Sequence, residues 1–273
     1  MFDAHEIVTG ELAKTLGAAF HAQFPNADTE LHDILQQTTL DVMALLHQTS
    51  AIYHNSEHTI LVVLAGVDIL QGKRDDPEFS ALDWIHIICA LLAHDVGYSA
   101  TACPGDTQQE RVIAQDGSKF RPPKGASDAC LAPYHVDRSM IFALHYFQDH
   151  AIVSGARIAA AIDFTRFPVP DAAHYSSTAC EGGLVRAADL IGQLADPLYP
   201  QKLHKLYFEM LETGVAEKIG YTSALDMLET FPNFYQTQVV PLIGPALSLL
   251  EKTKQGHIWI DRLATTLARA ETK

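Results

Sequence analysis

Apolar residues recur along this chain at the three-and-four spacing of helices, and almost nowhere at the alternation of strands. Residues 4–23 and 29–47 each read as an amphipathic helix. Asp28 is placed to cap the second, whose apolar positions include Leu31, Leu35, Met43 and Leu46. After Tyr53-His-Asn-Ser-Glu-His58, Asn55 or Ser56 can cap a helix running to about Gln71, with Gly72 beyond its end. Ile60, Leu64 and Val67 make one stripe of it. A polar turn, Lys73-Arg-Asp-Asp-Pro77, leads into the apolar run Ile85-His-Ile-Ile-Cys-Ala-Leu-Leu-Ala93. Here Trp84, Ile88, Leu91, Leu92 and Asp95 fall at helical spacing, and Gly97 is expected to end the helix in the left-handed conformation. The spacing thus predicts a buried helix with His94 and Asp95 on its last turn.

The pattern dissolves over 101–127. Pro104-Gly-Asp and Arg121-Pro-Pro-Lys-Gly125 are breaker clusters, and a connection this long reads as a flap loop. Helical spacing returns near Asp128, runs through 140–147, resumes around 153–164 and breaks at Pro168 and Pro170. Helices are expected over 184–194, 201–213, 223–229, 233–252 with an internal Pro241, and 258–270. There is no internal repeat. The expectation is one all-α domain over 1–273, with 1–50 as N-terminal helices.

Charge narrows the function. Lys and Arg total 19 against 33 Asp and Glu, a net charge of −14. That argues against a nucleic-acid polymer as partner. An acidic surface also repels anionic substrates at long range, so phosphate chemistry here needs local cations, for which metals are the obvious source. The four cysteines, Cys89, Cys103, Cys130 and Cys180, lack zinc-finger or CxxC spacing and point to a reducing cytoplasm. Met-Phe-Asp-Ala-His-Glu at the start has neither a basic region nor an apolar core, so no signal peptide is expected. No apolar run reaches bilayer length, so no membrane partner is expected and the protein reads as soluble.

Four residues then stand out as ligands: His58, His94, Asp95 and Asp189. A buried carboxylate beside an imidazole is costly unless a cation compensates it. Asp189 lies in Val-Arg-Ala-Ala-Asp-Leu-Ile-Gly, a buried-looking helix where a lone carboxylate needs a partner. Such an imidazole-and-carboxylate set suits zinc, iron or manganese, with magnesium or manganese at a carboxylate-and-water position. His54 lies four residues before His58 and shares its helix face if the helix begins that early.

Tyr53-His-Asn-x-x-His58, then Ala93-His-Asp95, then Ala188-Asp-Leu190 resemble the catalytic domain of class I cyclic nucleotide phosphodiesterases, within the HD-domain phosphohydrolase superfamily, across about residues 40–250. The resemblance implies an all-helical fold and hydrolysis of a small phosphoester such as a cyclic nucleotide. It implies His54 as general acid and His58, His94, Asp95 and Asp189 as ligands of a first ion. Asp95, counted also as catalytic, would bridge to a second ion completed by waters, with a hydroxide between the two attacking phosphorus. Phe234 matches the ring that stacks on the purine, and Phe231 stands where the base-reading Gln is expected, a role Gln236 or Gln238 can take instead. The chain departs from the family pattern at Tyr98, in place of a second His, at Ala100, in place of a Gly, and at Phe142, in place of a Glu. His135 and His145 are open as further ligands, and His150 reads as surface. Three rival readings remain: a nucleoside monophosphate phosphatase, an HD-fold di-iron oxygenase, and a non-catalytic metal-stabilised binding module. The last predicts a missing general acid.

Overall fold

A computed structural model describes residues 3–271. Its helices in chain order are α1 (Ala4–Gln23), α2 (Thr29–His47), α3 (Ser56–Gln71), α4 (Ala81–Ala93), α5 (His135–Tyr146), α6 (Gly155–Ile162), α7 (Glu181–Leu194), α8 (Tyr199–Glu212), α9 (Val215–Ile219), α10 (Ala224–Phe234), α11 (Val240–Leu250) and α12 (Lys254–Glu271). The all-α expectation is met, and the strands described are one short hairpin, β1 (Arg111–Val112) against β2 (Lys119–Phe120). One hydrophobic cluster runs from Leu12 to Ala270 and takes in every helix except α9. No helix among the described residues is long and apolar enough to cross a membrane.

Local chemistry explains most boundaries. The Asp28 side chain accepts from the Glu30 amide and the Asn55 side chain from the Glu57 amide, so Asn55 is the cap that starts α3. Ser80 with Asp83, and Ser223 with Asp226, form reciprocal capping boxes at α4 and α10. A stretch of π-helix over 235–239 joins α10 to α11, and α11 begins with Pro241 in its first turn. The short α9 has no counterpart in the sequence pattern; Gly214 and Gly220, both left-handed, bracket it.

Helix α4 is the axis. All its residues from Trp84 to Ala93 are buried, and it touches α2, α3, α6 and α7. Helix α3 lies along α7, so His58 and Asp189 reach one place from two neighbouring helices.

Two expectations about α4 need correction. The helix stops at Ala93, so His94 caps it and Asp95 lies just past its end, at φ −108°. Gly97 is not left-handed. It sits in a single 3-10 turn, Val96–Tyr98. A glycine is required there because α5 passes so close: a Cβ would stand 2.0 Å from the His135 carbonyl oxygen and 2.9 Å from Arg138 Cβ.

Part of the 101–127 connection is firmly held. Arg138 is fully buried; its Nε donates to the Gly97 carbonyl at 2.7 Å and its Nη2 to the Ser99 carbonyl at 2.7 Å. Its Nη1 reaches the Val112 carbonyl at 2.5 Å, and both Asp106 oxygens face it at 3.0–3.1 Å. Asp106 in turn accepts from the amides of Cys103 and Val112.

Candidate metal centre

His58 and His94 meet Nε2 to Nε2 at 3.4 Å, and Asp95 Oδ2 lies 3.4 Å from the first and 3.3 Å from the second. All three residues are buried. Asp95 Oδ2 is enclosed and accepts no hydrogen bond, which is costly for a carboxylate oxygen. The separations explain it. An ion with bonds of ~2.0–2.2 Å holds its donors ~3.0–3.5 Å apart, and the three atoms already stand at that spacing. This group can hold a metal ion. Asp189 is next to it, its Oδ1 3.3 Å from His58 Nε2 and 3.7 Å from His94 Nε2, and it is more open to solvent than the other three.

Each ring is aimed by its other nitrogen or by its neighbours. His94 Nδ1 lies 2.7 Å from the Leu91 carbonyl, which turns Nε2 inward. His135, the first residue of α5, repeats the arrangement: Nδ1 is 2.6 Å from the Ala132 carbonyl and Nε2 is 3.8 Å from Asp95 Oδ1. The pattern left His135 open, and the fold brings it to the group. His145 and His150 are exposed and lie elsewhere on the α5 segment.

His54 reaches the site by another route than helix spacing. It precedes α3, so it shares no helix face with His58, yet the two rings lie 5.7 Å apart edge to face. Its Nδ1 is 2.6 Å from Glu209 Oε2, and Glu209 Oε1 accepts from the Tyr53 amide at 2.7 Å. Glu209 is buried on α8 and was not among the residues singled out from sequence. The available signal was an acid beside the apolar stripe Tyr199, Leu203, Leu206, Met210. Tyr98 stacks at 4.6 Å on both His54 and His135, whose own rings lie 6.3 Å apart.

Charges in this cluster hold one another. Burial lowers the His94 imidazole, but Asp95 beside it wins and lifts its pKa to about 9. Burial alone would raise Asp95, and the neighbouring His94 holds it well below the usual carboxylate range. Burial likewise disfavours the His54 imidazolium, and Glu209 overcomes this, so His54 titrates above an ordinary imidazole and Glu209 below an ordinary carboxyl. Burial lowers His135.

The chain matches the Npun_R2479-like family model over residues 2–273. It belongs to the Npun_R2479-like family. No curated protein and no solved structure matches it. In this Npun_R2479-like chain the two aromatic residues matched to base binding sit on the α10 side of the molecule. Phe231 is buried against Tyr199 and Tyr235, and half-buried Phe234 meets Phe167 edge to face. Neither ring touches a site histidine ring among the described residues. Phe142, where the resembled family has its Glu, is buried against Tyr146, and Gln236 and Gln238 are exposed.

Proposed function

We propose that this chain is a metal-dependent phosphohydrolase that cleaves a phosphodiester of a cyclic or other small nucleotide. The observation that supports it most is a carboxylate-held imidazole beside a ready metal group: His54, gripped by Glu209, with its ring 5.7 Å from His58. His58, His94 and Asp95 would hold the ion, with Asp189 as the adjoining fourth ligand. A divalent ion there supplies Lewis acidity, polarising a phosphoryl oxygen and acidifying water.

The chain's own residues supply the rest. Glu209 accepts from His54 Nδ1–H and stabilises the protonated ring, leaving Nε2–H to donate to a departing alkoxide. Tyr98, stacked on both His54 and His135, fixes the two rings. Zinc, iron or manganese suits the His-rich group, and a magnesium or manganese ion on the Asp95 Oδ1 side belongs to the same proposal. A second, monoesterase reading has no observation in its favour.

The test is metal analysis of the purified protein with a panel of cyclic nucleotides and a nitrophenyl phosphodiester. Expected are bound transition metal, hydrolysis of a diester, and loss of both in Asp95→Ala. A metal-loaded protein inert on every phosphoester in the panel overturns the reading.

A further inference from the structure

Arg186 lies on α7, one turn before Asp189, and is 3% exposed. Its Nη1 donates to the Tyr175 carbonyl at 3.0 Å, and its guanidinium carbon is 5.5 Å from the centre of the Phe164 ring. Nε and Nη2 are both buried, and neither has a hydrogen-bond partner. These two nitrogens share one edge of the guanidinium. Their N–H groups point the same way and match two oxygens of a single carboxylate or phosphate.

Among the described residues no acid takes that edge. Among the described residues Arg186 makes no ion pair. Glu181, at the start of the same helix, is bound to Arg157, and Asp163, next to Phe164, is bound to Arg166 and the Tyr175 hydroxyl. Arg138 gives the contrast inside the same molecule. It is equally buried, yet Nε, Nη1 and Nη2 all donate, and a carboxylate faces it. An uncompensated buried cation is strongly destabilising, so this fold compensates one buried guanidinium completely and leaves the other with its oxyanion edge open.

The 164–178 segment packs closely on the start of α7. At Gly182 a Cβ would stand 2.3 Å from the Phe164 ring, and at Gly183 2.6 Å from the Thr178 carbonyl. The bare first turn of α7 thus lets residues 164–178 lie directly on the helix and roof the guanidinium. We infer that Arg186 holds an oxyanion, a carboxylate or phosphate with two oxygens on Nε and Nη2, between α7 and the 164–178 segment. The edge lies one turn of α7 before Asp189, and the inference stands whether or not the chain is a phosphohydrolase. The anion is either free or the acidic group of a larger molecule, and both offer the same two oxygens.

Thermal unfolding in phosphate, in formate and in chloride at matched ionic strength tests it, with native mass spectrometry of the protein as purified. A ligand that binds only the folded state raises Tm with the logarithm of its concentration. The wild type should show that rise in phosphate or formate and not in chloride, and Arg186→Met should show none. In anion-free buffer Arg186→Met should be at least as stable as the wild type, because a lone buried charge has been removed. If Arg186→Met does not fold, Arg186→Lys decides: it keeps the charge but lacks the two-pronged edge, and should bind phosphate or formate about tenfold more weakly. An adduct of small-anion mass assigns a free anion, and a larger one assigns the acidic group of a bound molecule. The inference is overturned by a wild type with neither adduct nor anion-specific rise in Tm. It is also overturned by Arg186→Lys binding as tightly as the wild type, or by Arg186→Met losing the same stability in every buffer.

Discussion

His54 is the residue on which catalysis and mere metal storage part. Its Nδ1 is occupied by Glu209, so Nε2 is the nitrogen left to serve a substrate. His54→Ala should leave bound metal unchanged and slow hydrolysis of diesters with poor leaving groups by about a hundred- to ten-thousand-fold. A nitrophenyl diester, whose leaving group hardly needs a proton, should suffer far less. Equal losses on both substrates, or loss of metal, would remove His54 from the acid role. The candidate metal group His58, His94 and Asp95 was legible in sequence because these residues sit in short motifs next to apolar runs, where burial forces compensation, and Asp189 is proposed beside it on the same ground. Glu209 was not legible. It lies 155 residues from His54, and only the docking of α8 against the start of α3 turns a helix acid into a buried partner.

At the scale of elements, hydrophobic periodicity and caps made α1, α2 and α3 readable almost to the residue, since Asp28 and Asn55 each satisfy an amide that the helix cannot. Gly97 misled because a glycine after an apolar helix serves two purposes, and tertiary contact chose the second. With the His135 carbonyl 2.0 Å from where a Cβ would be, Gly97→Ala must push α5 away from the turn that carries Asp95. We expect it to cost about 1–3 kcal/mol, the usual range for overpacking, read as a lower urea midpoint at unchanged slope. The 101–127 connection divides in the same way. Hydrogen exchange should be slow at the amides of Cys103 and Val112, which Asp106 holds, and fast over 121–125. Uniformly fast exchange would mean that the Arg138 clamp does not pin this stretch.

For the whole molecule, the metal group ties stability to pH. In metal-free protein Asp95 lifts His94 from 6.5 to about 9. A raised folded-state value stabilises the fold fully below 6.5 and loses that contribution as pH climbs through about 9. Metal needs the neutral imidazole, so its hold strengthens over the same interval. The gain in Tm on adding zinc or manganese to chelator-treated protein should therefore widen between pH 6.5 and about 9. A gain that is constant or shrinks across that range would contradict the assignment of His94 as ligand. The proposed ligands also have a temporal meaning, for they come from three distant parts of the chain, the start of α3, the end of α4 and the middle of α7. No early local structure contains them together, and they converge only when those helices have docked. Added metal should then leave the refolding rate in a stopped-flow experiment nearly unchanged and slow unfolding by nearly the full binding energy. A bound ion would work as a latch on the finished fold, never as its seed.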